Sequence, residues 1–294
     1  MLIFGGVYSN LQALDAVMQL AQAQDIAPQN CICTGDIIGY CGQPRESLER
    51  MMRWGAYSIL GNVEIQLRDD EEDCGCDFSA GSRCDGFSEV WYAFAKATLG
   101  ASRPLGEQSG KATLGASRPA REGKAQQYLD TQYEAYFHQL PDHIQFTYAG
   151  KSIGVVHGST ENVSEFIFAS SSWEAKQPSF EALGVEVILA GHCGLPFADK
   201  KNGMYWLNPG VIGMPANDGS TQTWAMILDD ANGFSYEFIR VPYDYLTAME
   251  QMKKHHLPME YAKTLETGIW DNMEILPDEE RQHFTDLHAV KGEN

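Results

Sequence analysis

The first 63 residues alternate short apolar runs with amphipathic stretches. Residues 2–4 form an apolar strand that stops at Gly5-Gly6. Asn10 can cap a helix whose Leu11, Leu14, Val17, Met18 and Ala21 share one face. Residues 29–34 read as a second strand, followed by a glycine-punctuated loop to Pro44. Residues 45–54 suit a helix with Leu48, Met51 and Met52 inward, and residues 57–60 a third strand ending at Gly61. This strand–helix alternation predicts a largely parallel sheet whose functional loops lie at the strand C-termini.

Residues 64–140 break the pattern. An acidic stretch with three cysteines comes first, and Val90-Trp91-Tyr92-Ala93-Phe94 then predicts a buried helix. Lys96-Ala97-Thr98-Leu99-Gly100-Ala101-Ser102-Arg103-Pro104 recurs as Lys111-Ala112-Thr113-Leu114-Gly115-Ala116-Ser117-Arg118-Pro119. Two copies this rich in Gly, Pro and Ser read as a local duplication in a surface loop, mobile across about 100–122. Residues 124–138 read as a helix. From 141 the pattern is mainly strand: 144–148 and 152–157 as a hairpin, 185–190 as a buried strand after a helix at 173–183, then 206–208, 221–228 and 234–241. The tail from Tyr243 is helical and polar, divided in two by Pro258. The expected organisation is one domain over 1–241 with an insertion at 64–140, and a helical extension, 242–294, packed on it.

Charge sharpens this layout. The chain has 294 residues and a formal charge of −19, with −6 in 64–77 and −6 in 242–294. The acidity excludes bulk nucleic acid and an anionic membrane surface as partners. The run Asp69, Asp70, Glu71, Glu72, Asp73 lacks the alternating ligands and central glycine of a calcium loop and reads as solvated surface. The stretch 96–124 is locally basic, a solvated loop or a phosphate-attracting flap. No apolar run can span a bilayer, and the N-terminus reads as a strand, not a signal peptide. A cytoplasmic, reducing location follows as the expectation, with the seven cysteines free or metal-bound.

Four polar clusters each follow a predicted strand: Gly35-Asp36, Gly61-Asn62, His157-Gly158 and Gly191-His192. Strand C-termini converge on one edge of an α/β sheet, so these side chains can meet. One Asp, one Asn and two His make an O/N ligand set suited to Mn, Fe or Zn with positions left open for water. Each residue also has a structural reading: Asp36 as a turn cap, Asn62 in a left-handed turn, either His as a core histidine.

The sequence resembles the calcineurin-like metallophosphoesterases. Gly35-Asp36-Ile37-Ile38-Gly39-Tyr40 resembles G-D-x-x-G-Y, Gly61-Asn62-Val63-Glu64 resembles G-N-H-[DE], and Val156-His157-Gly158 resembles the single-His motif. Ala190-Gly191-His192-Cys193-Gly194 resembles G-H-x-H, and Ser9-Asn10-Leu11-Gln12-Ala13-Leu14 the G-N-L-x-A-L that follows D-x-H. The turn from Asn208-Pro209-Gly210 to Pro215 is similar to that of the small bacterial branch with YfcE-like and diadenosine-polyphosphatase-like enzymes. The resemblance implies an αββα two-sheet sandwich that hydrolyses phosphate esters or anhydrides. The nucleophile would be a water held by the metal, and the substrate a small phosphorylated molecule, a nucleotide among the candidates. A non-catalytic metal- or phosphate-binding sensor on the same fold is the alternative.

The departures bear on the metal count. The D-x-H positions hold Gly6 and Tyr8, and the second His of G-H-x-H is Gly194, so of the first metal's ligands the resemblance leaves only the bridging Asp36. The second metal's set, Asp36, Asn62, His157 and His192, is complete, which implies one divalent or trivalent transition-metal ion, with two as the alternative. The G-N-H histidine, which assists phosphate or leaving group, is Val63 here. Glu64 is expected to support the site from behind. Tyr8, Cys74, Cys76, Cys84 and Cys193 are candidate additional ligands, with the 64–86 loop folding back to supply sulfur; buried free thiols are the alternative.

Overall fold

The computed structural model describes residues 1–101 and 128–292, with side chains to 285 at the C-terminal end. Sequence periodicity sorts into layers. In β1 (Leu2–Phe4), Ile3 faces a second sheet while Leu2 and Phe4 face helices; in β2 (Cys31–Cys33), Ile32 does the former and both cysteines the latter. This is the two-residue alternation of a strand between two apolar layers. The first sheet has the order β12-β11-β1-β2-β3, with β3 at Tyr57–Ser58, β11 at Thr223–Asp229 and β12 at Ser235–Val241. β1, β2 and β3 run parallel; β11 is antiparallel to β1.

The second sheet has the order β6-β7-β8-β10-β9: Ile144–Tyr148, Lys151–Val155, Val187–Leu189, Met204–Pro209 and Pro196–Lys201. Its central strands β7, β8 and β10 are parallel, and both edges are antiparallel. The sheets meet through Ile3, Ile32, Ile59, Ile153, Val155, Val187, Leu189 and Leu207. α1 (Leu11–Ala23), α2 (Pro44–Trp54) and α4 (Arg83–Leu99) cover the outer face of the first sheet, joined by α7 (Tyr245–Lys254) and α8 (Met259–Thr267) of the C-terminal segment. Leu14, Leu48, Trp91, Met252 and Leu265 lie in that one core. α6 (Trp173–Leu183) covers the second sheet through Phe180 against Trp206. The αββα sandwich implied by the sequence is therefore present.

Several expected elements differ. α3 (Asn62–Arg68) starts directly at the Gly61-Asn62 motif, where no helix is expected. Of the helix expected at 124–138, residues 124–127 lie outside the described residues, β5 (Tyr128–Leu129) pairs instead with β4 (Gly100–Ala101), and α5 spans Thr131–Phe137. The helix around Trp91 is amphipathic rather than wholly buried: Trp91 and Tyr92 are inside, and Val90 is exposed. The tail carries a third helix, α9 (Asp278–Gly292). The loop expected to be mobile across about 100–122 lies, beyond Ala101, outside the described residues. Among those described, no helix is long and apolar enough to cross a membrane.

Candidate metal centre

The loops after β2, β3, β7 and β8 converge at one edge of the sandwich, two from each sheet. They carry Asp36, Asn62, His157 and His192, all buried. Asp36 and His192 both take left-handed backbone, each at φ 57. Non-glycine residues in that region are uncommon and concentrate at functional sites. The flanking glycines permit close approach. A side chain on Gly61 would lie 2.0 Å from Asp36 Oδ1, and one on Gly35 would lie 2.7 Å from His157 Nδ1.

Hydrogen bonds fix which atoms face inward. His157 Nδ1 lies 2.7 Å from the Thr34 carbonyl oxygen, which only accepts, so this nitrogen carries the proton. In the neutral ring Nε2 then presents a lone pair. It faces Asn62 Oδ1 at 3.1 Å, His192 Nδ1 at 3.1 Å and Asp36 Oδ2 at 3.2 Å. The Asn62 amide nitrogen donates to the Cys74 carbonyl at 2.8 Å and faces Cys76 Sγ at 3.3 Å, which aims Oδ1 inward. Ligand atoms of Asp36, His157 and His192 all lie within 4.8 Å of one another. Crowded lone pairs repel unless a proton or a cation sits among them. This donor set of one carboxylate, one amide oxygen and two imidazoles therefore fits a transition-metal ion.

Electrostatics agree. Burial holds His192 down to about 3, helped by His157, so its ring is neutral. Burial would also lower His157, but the adjacent Asp36 carboxylate outweighs it and raises the ring above its ordinary value. Without an ion, a proton on His157 relieves the repulsion. Glu64 lies wholly buried behind the ligands, its Oε2 accepting from Asp36 N at 2.9 Å and Gly61 N at 3.0 Å, its Oε1 from Ile38 N at 3.0 Å. It ties the Asp36 and Asn62 loops together. Burial, and then Asp36, push its carboxyl up to about 7. The second oxygen of Asp36, Oδ1, faces Val63 N at 3.4 Å, at the amino end of α3, where the helix dipole favours an anion.

The remaining candidate ligands are placed differently. The 64–86 loop does fold back over the site, but it supplies a carbonyl and a thiol to Asn62 rather than sulfur to the ligand cluster. Cys84 Sγ bonds Asn272 Oδ1, and Cys193 Sγ contacts Leu195 O and Asn208 Nδ2. Burial pushes the Cys193 thiol up to about 12. Tyr8 is buried at φ 51, its phenol raised well above its ordinary value by burial and then by Asp36. Its ring fills the space beside Gly6, where an added Cβ would lie 2.5 Å from Tyr8 Cε1. Trp270 closes the Gly194 side, with ring atoms 3.7 Å from an added Cβ. The region of the missing first-metal ligands is thus occupied by two aromatic rings.

Sequence reasoning missed Thr34, which acts through its backbone carbonyl and so leaves no side-chain signal, and gave Cys74 a role through its sulfur where its backbone carbonyl meets Asn62. It also missed Phe166, whose ring centroid lies 4.3 Å from that of His192, and Trp270. Asn208 stood within a quoted motif without a role. Its amide nitrogen donates to the Gly191 carbonyl at 2.7 Å and so steadies the His192 turn.

Comparison with known proteins adds the family. An uncharacterized protein of Methanocaldococcus jannaschii, MJ0912, is 24% identical over 274 residues, 87% of this chain and 93% of the relative. The crystal structure of a metallophosphoesterase from Sphaerobacter thermophilus is 21% identical with a TM-score of 0.63, over 91% of this chain and 98% of that one. That of hypothetical protein PH1004 from Pyrococcus horikoshii OT3 is 18% identical with a TM-score of 0.66, over 92% and 98%. At these identities the two structures speak for the fold. The model of the calcineurin-like phosphoesterase superfamily domain matches residues 2–231, and the chain belongs to that family.

Proposed function

We propose that the protein is a metal-dependent phosphoesterase working from a single-ion centre. The observation that carries this reading is the convergence of Asp36, Asn62 and His192 on the lone pair of His157, with the opposite side of each of three ligands pinned. Thr34 holds His157, Cys74 holds Asn62, and Glu64 holds the Asp36 loop. A divalent Mn, Fe or Zn ion bound there would supply Lewis acidity and activate water at neutral pH. The chain's own residues orient the ligands and exclude bulk water from their far sides. Val63 offers no proton donor for the leaving group, so the reading favours esters whose leaving group departs without protonation.

The test is metal analysis of the purified protein together with turnover of 4-nitrophenyl phosphate and bis(4-nitrophenyl) phosphate. The expected result is one ion per chain, with metal-dependent hydrolysis abolished by His157→Ala or Asp36→Asn. Bound metal without turnover under Mn, Fe, Ni and Zn would favour a second reading, a metal- or phosphate-binding sensor. The rings of Tyr8 and Trp270 in the first-metal region support that alternative.

A further inference from the structure

A cleft opens directly from Asp36 and His192, and its walls are aromatic: Tyr8 and Tyr40, Phe78, Phe166, then Tyr261 and Trp270. The last two come from the C-terminal segment, beyond the stretch that matches the family. The rings support one another. Tyr40 lies 4.6 Å from Tyr8 and 5.0 Å from Tyr261, and Phe166 stacks within 6.4 Å of Phe78. Trp270 is fixed at both ends, its indole nitrogen donating to Pro215 O at 2.8 Å and its backbone nitrogen to Asn217 Oδ1 at 2.9 Å. A prearranged aromatic wall beside a metal centre is a recognition surface for a flat ring.

Charge narrows the class. The described lining residues include the carboxylates of Asp36 and Asp271 and no Lys or Arg. Asp271 is itself paired with Arg83 at 2.9 Å. A divalent ion on Asp36, with the buried Glu64 carboxyl behind it, leaves at most one net positive charge. A phosphate with one negative charge balances it, whereas a second negative charge would be desolvated between apolar rings and carboxylates.

We propose that the substrate is a phosphodiester bearing an aromatic ring, with the ring seated between Phe166 and Trp270 and the singly charged phosphate at the metal centre. This rests on the phosphoesterase reading above. In the reaction, water adds to phosphorus and the P–O bond to one ester oxygen breaks. The departing oxygen takes up one water proton, giving a phosphomonoester and an alcohol or phenol. An aryl ester meets the lack of a donor at Val63, because a phenolate leaves without prior protonation.

The experiment is calorimetric binding of diphenyl phosphate, dimethyl phosphate and phenyl phosphate to the Mn-loaded full chain, with turnover of bis(4-nitrophenyl) phosphate followed in parallel. Diphenyl phosphate should bind about tenfold more tightly than either other probe, the scale of one to two aromatic contacts. Phe166→Leu and Trp270→Leu, each measured at saturating Mn with bound metal verified, should lower the ratio of diphenyl to dimethyl affinity by roughly threefold or more. Equal affinity for diphenyl and dimethyl phosphate, or tighter binding of phenyl phosphate, overturns the proposal. The ring preference without turnover supports the cleft assignment and overturns the hydrolase reading. Turnover with a monoester preference does the reverse.

Discussion

If the Tyr8 ring occupies the first-metal region, restoring family ligands must succeed only when that ring is removed. Gly6→Asp alone places a Cβ 2.5 Å from Tyr8 Cε1 and 2.8 Å from Cζ. Gly39 packs against the same ring, where an added Cβ would lie 2.9 Å from Tyr8 Cδ1. Overpacking of this kind costs about 1–3 kcal/mol. Tyr8→His alone loses the edge contact with Tyr40, worth roughly 0.5–1.5 kcal/mol beyond burial, and keeps a residue type that tolerates the left-handed backbone. In the double variant the clash is gone, so the cycle should show a favourable coupling of about 1–3 kcal/mol. Urea denaturation of the four metal-free proteins measures it. Metal analysis supplies the second readout: Asp at 6 and His at 8, with Asp36, should raise bound Mn from one ion per chain to two. Strictly additive destabilisation together with an unchanged metal content would refute the placement of Tyr8.

Other outcomes follow from the same contacts. His157 is raised above its ordinary value, and the ion must displace the proton held at Nε2. Metal affinity should therefore be flat at high pH and fall as pH drops below that raised value, by about tenfold per pH unit; titrations giving one affinity from pH 8 to 6 would count against it. Cys76→Ala removes the thiol facing the Asn62 amide but keeps the Cys74 carbonyl. It should weaken metal binding several-fold, roughly a lost neutral hydrogen bond, while Asn62→Ala should cost more; equal effects would sink the positioning role. Lys176 is wholly buried and paired with Asp199 at 2.7 Å. Asp199→Ala should destabilise by about 3 kcal/mol in urea melts, whereas Lys176→Met should be close to neutral.

The parts legible in the sequence are those written in local pattern. Asp36, Asn62, His157 and His192 each stand two to four residues beyond the end of a strand and beside a glycine, and the glycines mark where backbones meet side chains. Long-range or backbone-made features were not legible. Pairing of β4 with β5 joins segments far apart in sequence, and without it residues 128–129 read as helix. β9 reads as polar loop because it is an edge strand carrying Asp199, Lys200 and Lys201. The thiols near the site looked like ligands because residue type shows chemistry but not direction. Only the structure shows Cys74 offering its carbonyl to Asn62, and Cys84 and Cys193 turned to Asn272 and Asn208.

The metal-site departures form a consistent set once charge is counted. A two-ion site of the kind the sequence resembles holds two divalent ions against the bridging Asp and the D-x-H Asp, leaving two net positive charges for a dianionic phosphate. Here Gly6 removes one carboxylate, and Tyr8 and Gly194 remove the histidines that would hold the accompanying ion. The remaining centre keeps Asp36, against which one divalent ion would leave at most one net positive charge. Each lost polar group has an apolar neighbour in its place: the Tyr8 ring beside Gly6, the Trp270 ring beside Gly194, and Val63 for the proton donor. Exchanging charge for aromatic surface lowers the favourable charge on the phosphate and raises the apolar area available to the rest of the ester. On the phosphodiester proposal above, both changes would move preference the same way, from small dianionic monoesters toward singly charged esters with a ring.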